Sequence, residues 1–91
     1  MNKNPLYENA IIIAPPSEAG FFATYKETYP EQHFDVLSVE AVEEMFKTNS
    51  PDPYAFFKGR NIVIRGYSDG RRIANAIEPL PNISLSWDIL P

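Results

Sequence analysis

Cysteine is absent from this chain of 91 residues, so neither a disulfide framework nor thiolate chemistry can be built from it. Histidine occurs once, at His33, which excludes a histidine–cysteine zinc site and any histidine pair. No apolar run approaches the ~18 residues that a membrane-spanning helix needs. The opening Met1-Asn2-Lys3-Asn4-Pro5 lacks the apolar core of a signal peptide. These absences together lead us to expect a cytoplasmic protein with no membrane partner. Positive charge is also scarce in the first half. Residues 1–50 carry Lys3, Lys26 and Lys47 against eight carboxylates, a balance of −5, while residues 51–91 come to +1. General nucleic-acid binding depends on neutralising phosphates with lysine and arginine, so that partner is disfavoured. An acidic surface ordinarily serves solvation, and a mimic of nucleic acid is the sharper alternative.

Apolar residues are plentiful by contrast, at 44%, and they include six Phe, five Tyr and one Trp. That is enough for a packed core, so disorder is not expected. The length suits a single α/β domain, 1–91, with a small core and a narrow margin of stability. Residues 1–9, with Pro5 and several polar side chains, read as an N-terminal arm.

Hydrophobic periodicity then divides the chain. Ala10-Ile11-Ile12-Ile13-Ala14 is a continuous β-branched run, as expected of a strand covered on both faces, and Pro15-Pro16 ends it. Ser17 is a candidate N-cap for a helix reaching about Tyr29, with Phe21, Phe22, Tyr25 and Tyr29 on one stripe. Phe34–Val39 reads as a second strand leading into a helix at about Val39–Lys47, with Ser38 as its cap and Val42, Met45 and Phe46 inward. Thr48–Pro53 is a loop on its turn chemistry, and Tyr54–Phe57 adds one helical turn. A third strand is predicted at Asn61–Arg65. A third helix follows at about Gly70–Ile77, capped by Ser68 or Asp69. Ile83–Ile89 alternates polar and apolar, which suits an edge strand or one with a solvated face. Strand–helix alternation of this kind predicts a small two- or three-layer domain, with a mostly parallel four-stranded sheet and about three helices.

In such sheets ligands bind beyond the carboxyl ends of the strands. The stretch Arg65-Gly66-Tyr67-Ser68-Asp69-Gly70-Arg71-Arg72 stands there, and so does Pro15–Gly20. Arg65, Ser68, Gly70, Arg71 and Arg72, with Ser17 from the first loop, are the candidate ligand-binding residues, suited to a phosphate or carboxylate. Glu18, Glu40 and Asp69 could hold magnesium, yet carboxylates are common at helix starts for capping reasons, and no metal is assigned. No catalytic constellation is evident, because His33 has no visible nucleophile beside it. No cofactor is implied.

Ile11-Ile12-Ile13-Ala14-Pro15-Pro16-Ser17-Glu18-Ala19-Gly20 resembles the strand and opening of the phosphate-binding loop in P-loop kinases, including small phage-encoded ones. Where that family has Lys and then Ser or Thr, this chain has Phe21 and Phe22, so the resemblance implies a P-loop-type scaffold without nucleotide hydrolysis. Lys58–Ile64, with Gly70-Arg71-Arg72 and Ala76-Ile77, is similar to the acidic-strand segment of Toprim domains in primases and topoisomerases. The two aspartates of that family are replaced here by Arg65 and Tyr67.

Three functions follow in order of expectation. The first is a non-enzymatic interaction or regulatory protein, such as a phage-type accessory or inhibitor, with a protein partner. Exposed aromatics among Tyr7, Tyr54, Phe57, Tyr67 and Trp87 would mark its contact face. The second is a nucleotide- or phosphate-binding module using the loop after the third strand. An enzyme ranks last. A four-stranded sheet also leaves two edges, so a homodimer is expected unless Pro79, Pro81 and Pro91 guard the last one.

Overall fold

Two strands rich in β-branched residues lie side by side in a computed structural model whose description covers residues 2–88. They are Ala10–Ile13 (β1) and Asn61–Arg65 (β3), at the centre of a four-stranded, all-parallel sheet. Phe34–Leu37 (β2) and Ser84–Asp88 (β4) form its edges, in the order β2-β1-β3-β4. The sequence explains this placement. All four residues of β1 are buried, as are Ile62, Val63, Ile64 and Arg65 of β3, so both strands need cover on two faces. The edge strands carry polar residues in alternation, Asp35 in β2 and Ser84, Ser86 and Asp88 in β4. Ile89, expected in the last strand, and Pro91 lie outside the described residues.

Helices cover both faces, giving three layers. Ala19–Thr28 (α1) packs Phe22 and Tyr25 against Ala10, Ile12 and Val63. Val39–Thr48 (α2), Pro53–Phe57 (α3) and Arg71–Ile77 (α4) pack against Ile11, Ile13, Ile62 and Ile64 on the other side. Val39, Val42 and Met45 are the buried residues of α2, and Ile73 and Ile77 those of α4. Ser38 caps α2 as expected, its Oγ accepting from Ala41 N–H at 3.1 Å. The N-cap of α4 is Gly70, not Ser68 or Asp69, and it has no side-chain cap; Asp69 stands one residue earlier, where its Oδ1 accepts from Arg71 N–H at 2.9 Å.

Ser17 does not cap α1. Pro16–Glu18 forms a short 3-10 turn first, and α1 begins at Ala19 with no side-chain cap. The proline pair sets that tight turn, and the Glu18 carboxylate that follows is drawn to Arg65 instead. The N-terminal stretch is held down from Asn4 to Tyr7. Pro5–Tyr7 is another 3-10 turn, and Tyr7 is fully buried among the rings of Phe22, Tyr25 and Phe34. Asn4 N–H donates to the Tyr25 hydroxyl at 2.9 Å, Gln32 Nε2 donates to Asn4 O at 2.9 Å, and the Tyr25 hydroxyl donates to Gln32 Oε1. Gln32 is thus a buried amide with its polar atoms used.

The connections reverse direction between β1 and β3, since β1 leads to β2 on one side and β3 to β4 on the other. A ligand crevice in this topology opens above that gap. Here Gly66, with φ of +85°, is pressed so closely against Pro15 and Glu18 that a Cβ would fall 2.9 Å from the proline ring. The loops after β1 and β3 are therefore in contact at the reversal.

Candidate interaction face and the loop after the third strand

Arg65 ends β3 with its side chain on the α1 face, opposite Asp88 in the parallel register. It is only 6% exposed and packs its guanidinium 3.7 Å from the centre of the Phe21 ring. Its Nε donates to Glu18 at 3.1 Å, and its Nη1 donates to Asp88 at 2.8 Å and to the Tyr7 hydroxyl at 3.3 Å. Tyr7 also donates to Asp88. Burial opposes the charge on Arg65, and the hydrogen bonds to Asp88 and Glu18 more than offset that, so its pKa lies above the ordinary value. Burial raises the Tyr7 pKa, and the neighbouring Asp88 raises it further. One buried arginine thus fastens the N-terminal stretch, the loop after β1 and the end of β4 to the end of β3.

The remaining candidate ligand residues lie apart from this network. Arg71 is exposed and folds back on Asp69 at 3.1 Å, and this contact lowers the Asp69 pKa. Arg72 reaches across to α2 and grips both oxygens of Glu43, at 2.7 and 3.0 Å. That grip holds Glu43 below the usual carboxylate range. Ser68 and Ser17 are exposed. Gly70 lies directly beneath the Trp87 indole, which occupies the space a Cβ would need. Each of the three arginines therefore already holds a carboxylate. At the start of α1, Phe22 lies in the core and Phe21 on Arg65. Among the described residues, no three His, Asp or Glu side chains gather as a metal site requires.

A different face stands out. Leu85 and Trp87 of β4 pair with Ile62 and Ile64, so they lie on the side of the sheet that carries α2 and α4. They remain 39% and 43% exposed, and Ile83 just before the strand is 41% exposed. The reason is geometric: α4 buries Ile73 and Ile77 against the central strands and leaves the outermost one partly uncovered. The apolar row continues from Ile83 into a groove of ≈ 510 Å³ at the amino-terminal end of β3 and β4. Phe57 and Leu80 contribute buried rims to it, Tyr54 stands at 50% exposure, and Lys58 and Asn82 add polar groups. Among the described residues no carboxylate pairs with Lys58. Arg60, also on this groove, is committed to Asp35 at 2.8 Å and to the carbonyl oxygens of Asn9 and Ala10. Two further grooves, beside His33 and beside Lys3, also open near the start of β2.

Of the aromatics named in advance as markers of a contact face, Tyr54 and Trp87 are exposed, Tyr67 is half-buried, and Tyr7 and Phe57 are buried. Ile83 and Leu85 join Tyr54 and Trp87 as exposed apolar residues. Their alternation with serine was visible, but which side of the strand would lack cover depends on strand order. No protein-family description, characterised protein or solved structure matches this chain.

Proposed function

We propose that this chain is a non-enzymatic interaction module that binds another protein chain along the β4 side of its sheet. The observation that carries this reading is the coincidence of three features on one side. An unpaired edge strand, a row of half-exposed apolar side chains at Ile83, Leu85 and Trp87, and the ≈ 510 Å³ groove rimmed by Tyr54 adjoin one another. An edge strand offers free backbone N–H and C=O groups to an extended segment, and adjacent pockets select its side chains. Large aromatics such as Tyr54 and Trp87 are the residue types that dominate contact energies. The ligand reading for the loop after β3 is less well supported, because Arg65, Arg71 and Arg72 are each already paired with a carboxylate.

Selection of a displayed library of extended peptides on the purified protein tests the proposal. Binders should carry large apolar residues. Trp87→Ser should weaken them by about 2 kcal/mol or more, roughly thirtyfold, while Arg71→Ala leaves them unchanged. Binders indifferent to Trp87→Ser and Tyr54→Ser would reject this face. A phosphate or nucleotide that raises the melting temperature, with the shift lost in Arg71→Ala, would favour the ligand reading instead.

A further inference from the structure

We infer that the open edge of β4 pairs with the same strand of a second copy of this chain, antiparallel about a two-fold axis at Ser86, to make one eight-stranded sheet across a homodimer. The inference rests on the interaction reading above and names the occupant of the strand edge. Its basis is the pattern of β4 itself. Ser84-Leu85-Ser86-Trp87-Asp88 alternates polar and apolar symmetrically about its middle residue. A two-fold interface presents the same patch on both subunits, so it requires such self-complementarity. An axis at Ser86 brings all five residues into register. Leu85 then stands opposite Trp87 of the second copy, and Trp87 opposite its Leu85, on the face where both are half-exposed. On the other face Ser84 stands opposite Asp88 of the second copy, a donor against an acceptor. Directly opposed side chains in such a pair lie about 4.5–5.5 Å apart at Cβ and interact strongly.

Charge supports a second copy at this edge. A chain of net charge −4 resists self-association wherever its carboxylates are free. The only charged residue of β4 is Asp88, and Arg65 neutralises it within the same subunit at 2.8 Å. The strand contains neither lysine nor proline, two of the devices that natural edges use against pairing. The opposite edge is different. β2 carries Asp35 in its interior, half exposed and held by Arg60. The prolines expected to guard the last strand, Pro79 and Pro81, precede it and leave its pairing groups untouched.

A five-residue strand pair with its flanking side chains falls short of the roughly 1,600 Å² of a standard interface, so the dimer should dissociate at micromolar or higher concentration. The test is sedimentation of the full chain from about 10 μM to about 1 mM, combined with single cysteines, which the native sequence lacks. A reversible monomer–dimer equilibrium is expected. Under mild oxidation Ser86→Cys should crosslink to itself. Leu85→Cys alone should not, because its two copies would be diagonal neighbours about 7–8 Å apart. A mixture of Leu85→Cys and Trp87→Cys should crosslink with each other. If Trp87→Cys fails to fold, the contrast between Ser86→Cys and Leu85→Cys still decides the register. A monomer throughout the range, or a dimer that Leu85→Cys traps and Ser86→Cys does not, overturns the inference. A monomer that still binds peptides at Trp87 removes the homodimer and leaves the interaction reading standing. A monomer without such binding removes both.

Discussion

Replacing Arg65 by methionine should be the most damaging single change to this protein outside its apolar core. Methionine keeps much of the apolar stem, so the perturbation falls on the guanidinium. Arg65 is 7% exposed in its side chain, and the two carboxylates it joins, Glu18 and Asp88, are each 18% exposed. Removing one partner of a buried ion pair typically costs ~3–5 kcal/mol, because a charge is left in poor solvent without compensation. Stacking on Phe21 adds roughly 0.5–2 kcal/mol to the loss. Glu18 and Asp88 sit close enough to the surface to gain some water after the change, which reduces it. We therefore expect a loss of about 3–4 kcal/mol, against a total of roughly 5–13 kcal/mol for a domain of this length. The melting temperature should fall by about 12–30 °C. Urea unfolding followed by circular dichroism reads the change directly as a lower midpoint at an unchanged slope. Arg72→Met is the control, since its bidentate pair with Glu43 is solvent-exposed and its loss should change stability little. Adding Glu18→Gln and Asp88→Asn to Arg65→Met should recover about half of the loss, because the orphaned charges are then gone. If Arg65→Met costs no more than Arg72→Met, the assigned role of the buried arginine is wrong.

Three further outcomes follow from the same geometry. Burial raises the Tyr7 pKa, so above its ordinary value near 10 the unfolded chain gives up a proton that the folded chain retains. Stability should therefore fall as pH rises beyond about 10, and Tyr7→Phe should flatten that fall in urea midpoints taken between about pH 9 and pH 11. Gly70→Ala places a Cβ where the Trp87 indole lies, so the exposed ring must swing outward. The expected signs are an altered tryptophan emission and a cost near 1 kcal/mol, since alanine is also the poorer N-cap; unchanged emission would contradict the packing. Ser38→Ala removes the cap of α2 and should cost about 1 kcal/mol in chemical unfolding.

The elements of the sheet were legible because their signals are local. The runs Ile11-Ile12-Ile13 and Ile62-Val63-Ile64 announce strands buried on both faces, and the stripe of Phe22 and Tyr25 announces the helix that covers one of them. Ser38 as a cap and the spacing of Val42, Met45 and Phe46 did the same for α2. The candidate site was harder to read for a physical reason. An arginine at the end of a buried strand looks the same in sequence whether it meets a ligand or a carboxylate of its own chain. Arg65 meets Glu18 and Asp88, which lie 47 and 23 positions away, and no local pattern reports such a meeting. Tyr7 was assigned to an arm for the same reason, since its ring partners come from α1 and β2. The alternation of Ile83–Ile89 signalled an edge strand, and β4 stands at the edge; that Leu85 and Trp87 are left half-exposed depends on how the helices cover that side, which no single segment encodes.

The central claim is that contact with another protein occurs along β4 and not at the arginine loop. The most direct measurement is chemical-shift mapping of the isotope-labelled protein, first on dilution and then with a selected peptide. Shifts should concentrate at Tyr54, Leu80 and Ile83–Trp87, with Ser17 and Ser68 still. Shifts confined to Ser17 and Ser68–Arg72, with Leu85 and Trp87 unmoved, would contradict it.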